Sequence, residues 1–378
     1  MTSESILIGL VAAVAATALV IAVVVLRRQR QLIRVAEDGV HLTTPTHDLV
    51  LEVQKRGDLV AFVANPTKPD VADLRDAVRA ACTDRGLPEP LWFETTATDP
   101  GVGQTHEAVR RGANVVVALG GDGTVRAVAA ALVGTGIPMG LVPMGTGNLL
   151  ARNLDIPLSD PKAAIRIAVT GRDRTIDVGW LTLDGPDQPH ATAHPEHIFL
   201  VIAGLGFDAA MVADTDAALK ARVGWMAYFL SGVRHLHGTR SKVHIRIDDR
   251  PPVTTRLRSL LVGNCGRLPG GITLLPDALL DDGWLDIAAI DTRGGLVGWA
   301  QLFGEVVLQG YGVRTDLPAK IGRIDHARAR AIRLLVPAGE HVQVDGEVLG
   351  RATEVNVRVD PGALVVRVLD DAPDDARS

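Results

Sequence analysis

Residues 115–124 read VVVALGGDGT, and a second glycine-rich stretch, PMGTGN, follows at 143–148. A short β-branched run ending in two glycines, a carboxylate, a third glycine and a threonine reads as a buried strand turning into the start of a helix, where backbone N–H groups lie unpaired. Such a turn is a seat for phosphate. Gly120, Gly121 and Gly123 allow close approach of backbone to a ligand, while Asp122 puts negative charge where phosphates are expected. A hydrated Mg²⁺ between carboxylate and phosphates reconciles the two, because Mg²⁺ keeps several waters and is held by one or two carboxylates plus the nucleotide.

The flanking sequence alternates strands and helices. Leu59–Ala64, Leu91–Thr95, Asn114–Leu119 and Met139–Val142 have the apolar runs of strands; Asp70–Cys82, Gln104–Gly112, Val125–Val133, Leu149–Leu154 and Pro161–Thr170 have helical spacing. Repeated βα units predict a doubly wound parallel sheet with ligands at the carboxyl ends of its strands. Beyond it the chain turns mostly to β. Arg174–Leu183, His197–Ala203, Lys242–Ile247, Thr254–Val262, Gly283–Ile290, Ile332–Val336, His341–Val344 and Glu354–Val368 read as strands, interrupted by helical stretches at Leu219–Leu236 and Leu296–Gln309. The expected fold class is therefore an α/β nucleotide domain followed by a β-rich, sandwich-like domain.

At 378 residues the chain has room for about two domains of roughly 150 residues. With 39 Lys and Arg against 44 Asp and Glu it lacks the broad basic field of a nucleic-acid binder, so no such partner is expected. Cys82 and Cys265 have no Cys or His at ligand spacing, which argues against a zinc knuckle or a disulfide framework. His194, His197, His235 and His237 lack a third ligand and read as solvated.

Ile6–Leu26 is apolar and uncharged, long enough to cross roughly 30 Å of hydrocarbon. Arg27, Arg28, Arg30 and Arg34 follow it and only Glu4 precedes it, which predicts a single-pass helix in the cell membrane with the remaining chain cytoplasmic. The expected organisation is an anchor at 1–26, a tether at 27–57, a nucleotide-binding domain at 58–172 plus about 354–370, a β-rich domain at 173–353, and an acidic tail at 371–378.

Further motifs fall in a fixed order after the two glycine loops: Gly204-Leu-Gly-Phe-Asp208, Gly263-Asn264, Gly270-Gly271, the acidic stretch Pro276–Asp286, and Asp345-Gly346-Glu347. Over roughly residues 58–370 this series resembles the soluble-type diacylglycerol kinase catalytic family, which also includes sphingosine and ceramide kinases and several bacterial lipid kinases. The resemblance implies two domains with a cleft between them and a last strand returning to the first. It implies ATP on Asn65, on Thr95 or its neighbour Thr96, on Gly120, Gly121, Asp122, Gly123 and Thr124, and on Gly145, Thr146 and Asn148. It also implies Asp122 in a Mg²⁺ and water network, and a structural magnesium held by the Asp282 side chain and the carbonyls of Leu279 and Trp284.

Asp345 and Glu347 cap an alternating strand with two carboxylates flanking a turn, a pattern that a plain Asp-Gly hairpin shares. A positioned carboxylate can accept the proton of an attacking hydroxyl during phosphoryl transfer. The resemblance implies that this pair supplies the base, with Glu347 favoured as acceptor and Asp345 as its partner. Three departures stand out: Asn65-Pro66-Thr67-Lys68-Pro69 lacks the glycine-rich continuation usual in relatives, Val125–Ala131 lacks their Glu and Asn, and Leu149 replaces an Asp. The expected function is an ATP- and Mg²⁺-dependent lipid kinase, diacylglycerol to phosphatidic acid, with a membrane lipid as substrate partner and homodimerisation left open. The alternatives are a kinase for a sphingoid or glycolipid alcohol, a soluble-substrate kinase of the NAD-kinase type, and a silent lipid-binding module.

Overall fold

The computed structural model describes residues 58–186, 195–206, 240–268, 272–273, 275–292 and 322–370, all within one compact unit spanning Arg56–Ser378. Strands β1 (Val60–Ala64), β3 (Val115–Gly120) and β4 (Met139–Pro143) are buried at every residue. Continuous apolar runs of this kind suit a parallel sheet covered on both faces. With β2 (Leu91–Glu94), these strands pair in parallel in the order β4-β3-β1-β2. Helix α1 (Leu74–Thr83) packs on α5 (Pro161–Thr170), and α2 (Val102–Arg110) on α3 (Asp122–Leu132). Asp160 caps α5 by accepting the N–H of Ala163 at 2.9 Å, and Pro161 opens it, a favourable pairing at a helix start.

The β-rich part grows from the same sheet. It contains β5 (Arg172–Asp184), β6 (His197–Phe199), β7 (Ile202–Gly206), β8 (Ser241–Ile247), β9 (Val253–Leu257), β10 (Ser259–Gly263), β13 (Leu285–Thr292), β14 (Gly322–Ala329), β15 (Ala331–Val344) and β16 (Glu347–Val368), besides the small pair β11 (Arg267–Leu268) and β12 (Ile272–Thr273). The hydrogen-bonded path runs β14-β13-β10-β7-β15-β16-β4-β3-β1-β2, with β5 also on β16 and β8 on β15. Its two halves meet where Val366 of β16 pairs in parallel with Met139 of β4. One apolar cluster fills the α/β half and includes Leu364, Val366 and Val368; a second, with Phe199, Leu205, Leu260, Val342 and Val357, fills the β-rich half.

The expected fold class is corrected at its membrane-spanning part. Among the described residues no helix is long and apolar enough to cross a membrane. The longest, α3, has 11 residues and spans about 16 Å at 1.5 Å per residue. Ile6–Leu26, which carried the expectation of an anchor, and the tether at 27–57 lie outside the described residues, and the single-pass cytoplasm-facing localisation falls with that anchor. The fold is thus mixed α/β with a β-rich second part. The helical stretches 219–236 and 296–309, Phe207-Asp208, Gly270-Gly271, His194, His235, His237 and the tail at 371–378 also lie outside the described residues.

Two strand boundaries differ for a physical reason. His197–Ala203 is two strands, because the N–H groups of Leu200 and Val201 leave the ladder to bind the Asp345 carboxylate. Ile332–Val336 and His341–Val344 are one strand, β15, whose register against β16 shifts between Leu335 and Glu340.

Candidate active site

Strand β3 ends at Gly120, and α3 begins at Asp122 with no side chain capping its first turn. That leaves N–H groups free to face an anion, as the sequence predicts. The second loop packs backbone to backbone against the first: a Cβ on Gly145 would lie 2.8 Å from the Cα of Gly121, so glycine is required for the approach. Met144 N–H donates to the Gly120 carbonyl at 2.8 Å, and Asn148 closes the second loop by accepting from Gly145 N–H (2.9 Å) and donating to its carbonyl (2.7 Å). Asn148 stands at φ +47°, a left-handed conformation that Asn tolerates well. Gly123 and Thr146 are exposed at the loop tips, while Thr124 is buried beneath Gly120.

Asp122 ties the loops together. Its Oδ2 accepts the N–H of Asn148 at 2.9 Å and its Oδ1 that of Leu149 at 2.6 Å, where α4 (Leu149–Asn153) starts. Leu149 is buried here, and what its position contributes is this N–H. Asn65, at the end of β1, uses its Oδ1 to hold Thr67 N–H (3.0 Å) and the Thr67 hydroxyl (2.8 Å). This turn brings Lys68 over the glycine loop: a Cβ on Gly121 would lie 3.7 Å from Lys68 Cε and 3.9 Å from Nζ. The altered Asn65 loop therefore supplies a cation at the phosphate seat. Thr95 is buried at the end of β2, its N–H on the Ala64 carbonyl at 2.9 Å.

Across from these loops stands the hairpin between β15 and β16. Asp345 and Gly346 have φ of +46° and +84°, the two positive values of a type I′ turn. The turn is thus an Asp-Gly hairpin and also the carrier of a carboxylate, for Asp345 points back into the protein and accepts N–H bonds from Leu200 (2.9 Å), Val201 (3.0 Å) and Ile202 (2.9 Å). Glu347 points outward and is 59 % exposed. Arg126, one turn into α3, reaches both sides of the hairpin: Nη1 donates to the Val344 carbonyl at 2.8 Å and Nη2 to Glu347 Oε2.

Burial pushes the carboxyls of Asp122 and Asp345 up, against the pull of their N–H donors, and the charge of Asp345 pushes Asp122 further. Burial pulls the Arg126 guanidinium down, opposed by the charges of Asp345 and Asp122. His197, expected to be solvated, is half-buried on β6, and burial and then Arg126 lower its pKa. The glycine loops, Lys68 and the three carboxylates with Arg126 thus form one constellation. The three carboxylates outnumber the guanidinium among them, and this excess of negative charge suits a hydrated Mg²⁺ arriving with a nucleotide.

The acidic stretch is arranged differently. Asp282 accepts the Trp284 N–H at Oδ1 (3.1 Å) and the Arg328 guanidinium at Oδ2, and Arg328 Nε also lies 3.5 Å from Asp286. Asp281 pairs with Arg174 at 2.8 Å. Buried Asp177 accepts Gly283 N–H (2.6 Å) and Gly362 N–H (2.7 Å), and its own N–H donates to the Leu280 carbonyl (2.6 Å). Among the described residues no three or more His, Cys, Asp or Glu are grouped to hold a metal ion. Asp282 is thus engaged by an arginine and a backbone N–H in this arrangement, while Asp286 Oδ2 beside it is buried with no hydrogen-bond partner among the described residues. Arg126 and Lys68 at the site, and Asp177 as the structural carboxylate beneath the acidic turn, are not marked by the sequence.

Residues 60–181 match the diacylglycerol kinase catalytic domain, and residues 201–368 match the YegS C-terminal NAD kinase beta sandwich-like domain. A diacylglycerol kinase of Mycobacterium tuberculosis is 32% identical, with 64% of this chain and 72% of that protein covered. The chain belongs to the diacylglycerol kinase catalytic family. Members of this family are kinases that phosphorylate an alcohol, and the chain is a lipid kinase of that class. A Xanthomonas campestris protein named probable lipid kinase YegS-like is 32% identical over 68% of this chain and 83% of its own length. The uncharacterized protein sll0036 of Synechocystis is 31% identical over 67% of this chain, which spans only 54% of that relative. A crystal structure of a diacylglycerol kinase from Bacillus anthracis shares the fold, with a TM-score of 0.63 over 82% of this chain and 97% of that one at 22% identity.

Proposed function

We propose that this chain transfers the γ-phosphoryl group of ATP to a lipid hydroxyl, diacylglycerol being the leading substrate and phosphatidic acid its product. The observation that carries the reading is the meeting of the glycine loops with Asp122, Asp345 and Glu347, drawn from segments more than 200 residues apart in the chain. The part at 58–172 with about 354–370 would hold the nucleotide and the part at 173–353 the lipid.

The phosphates would sit on the first turn of α3 and the Gly145–Asn148 loop, with Lys68 above them. Asn65, Thr95 and Thr146 would border the nucleotide. Asp122 and Asp345 would hold a Mg²⁺ through water, and the ion would supply charge neutralisation for the phosphates. The exposed Glu347 accepts the hydroxyl proton as the new O–P bond forms and the bond to the ADP oxygen breaks. Asp345, committed to three N–H donors, is the anchor of the pair and Glu347 its working member.

The test is incubation of the purified protein with γ-labelled ATP, Mg²⁺ and total membrane lipid. Label in the organic extract, migrating as phosphatidic acid, is the expected result. Label confined to a water-soluble product would overturn the reading.

A further inference from the structure

The helix that opens at the phosphate seat also grips the hairpin carrying the proposed base. Asp122 and Arg126 are four residues apart on α3, hence on one face, with the acidic member nearer the N-terminus, the more favourable order. Asp122 fixes that face to the second glycine loop through the N–H groups of Asn148 and Leu149. Arg126 fixes it to the hairpin through the Val344 carbonyl and the Glu347 carboxylate.

The Arg126 side chain is 15 % exposed against 59 % for Glu347, so the guanidinium is the held partner and the carboxylate the one being placed. Arginine suits this task, because its planar fork serves two acceptors in fixed directions where a lysine ammonium gives a single mobile point of charge. Among the described residues no other side chain bonds the Glu347 carboxylate. The Asp345-Gly346 turn sets its backbone, but an exposed glutamate with several rotatable bonds samples many positions.

We propose that Arg126 is a positioning residue for the phosphoryl transfer, holding the Glu347 carboxylate in fixed register with the nucleotide loop through the single helix that carries both contacts. The inference rests on the kinase reading above. Its chemical content is alignment: a displacement of about 1 Å at a reacting group can cost about 10²-fold in rate.

A double-mutant cycle tests it, with labelled lipid product as readout. Arg126→Gln should lower kcat by about 10²-fold, the cost of a misplaced group, and leave the KM for ATP within about threefold. Because Arg126 acts through Glu347, adding Arg126→Gln to Glu347→Gln should lower kcat no further, whereas a merely structural role would multiply the two losses. Unchanged kcat in Arg126→Gln, a loss confined to KM, or multiplicative losses in the double variant would each overturn the inference. If the neutral variant does not fold, Arg126→Lys, which keeps the charge without the fork, is read in the same cycle by the same criteria. A wild-type protein that labels no lipid sinks the kinase reading and this inference together, while an active wild type with a fully active Arg126 variant sinks this inference alone.

Discussion

Two acidic clusters lie in this molecule, and they handle charge in opposite ways. Around the hairpin, Asp122 and Asp345 are half-buried on backbone N–H groups, Glu347 faces outward, and Arg126 bridges the two sides without matching all three charges. In the acidic stretch Asp281 pairs with Arg174 and Asp282 with Arg328, which also lies near Asp286, and Asp177 pins the turn from below. Surplus charge beside a phosphate seat is a state that a metal–nucleotide complex can relieve, whereas a carboxylate already paired with an arginine gains less on binding a cation. Acidic composition alone therefore does not mark a metal site. What separates the two clusters is where the compensating cation already stands.

The sharpest way to break this contrast is to neutralise one carboxylate in each cluster. Glu347→Gln should lower kcat by about 10²- to 10⁴-fold, the usual contribution of a general base, while Asp282→Asn should leave kcat within about threefold. Equal losses in labelled lipid would mean that the clusters are not functionally distinct.

Removing the pin beneath the acidic turn should act on stability instead. Asp177→Ala leaves the N–H groups of Gly283 and Gly362 without their acceptor, each costing about 1–3 kcal/mol when buried. Thermal denaturation should show a drop of several degrees. The specific activity of the folded fraction should hold steady, and a collapse in kcat at unchanged melting temperature would tie this turn to the chemistry after all.

The smallest effect belongs to Arg328. Its side chain is 43% exposed, so Arg328→Met should cost only about 1 kcal/mol, in the range of solvent-screened pairs. The informative measurement is melting with EDTA or excess Mg²⁺ and no nucleotide. Wild type should melt alike in both, and Arg328→Met should be raised by Mg²⁺. A wild-type melting temperature that falls in EDTA would show that this turn holds a metal.

Legibility in the sequence followed the range of the interactions. The parallel strands read to within a residue or so at Val60–Ala64, Val115–Gly120 and Met139–Pro143, because burial on both faces leaves an unbroken apolar run. Both glycine loops announced themselves for a similarly local reason. Where a contact spans the chain the reading failed: the break in His197–Ala203 is made by a carboxylate about 145 residues away, and β14 was missed because Arg323, Asp325, His326 and Arg328 give it the look of a polar loop. Arg126 in an alanine-rich helix reads as one solvated charge until Glu347 is seen beside it. Lys68 is not legible in the sequence because only the Asn65 turn onto Thr67 carries it over the glycine loop.

Strand β16 comes after every other described strand in the chain, yet it lies between β15 and β4 in the middle of the sheet. During synthesis the parallel strands can emerge and pair early, but the centre of the sheet stays open until the segment Glu347–Val368 leaves the ribosome. Until then β4 and β15 each present an uncovered edge, the kind of surface that recruits other chains. Glu347 is the first residue of that closing strand, so the proposed base and the seal on the nascent protein arrive together.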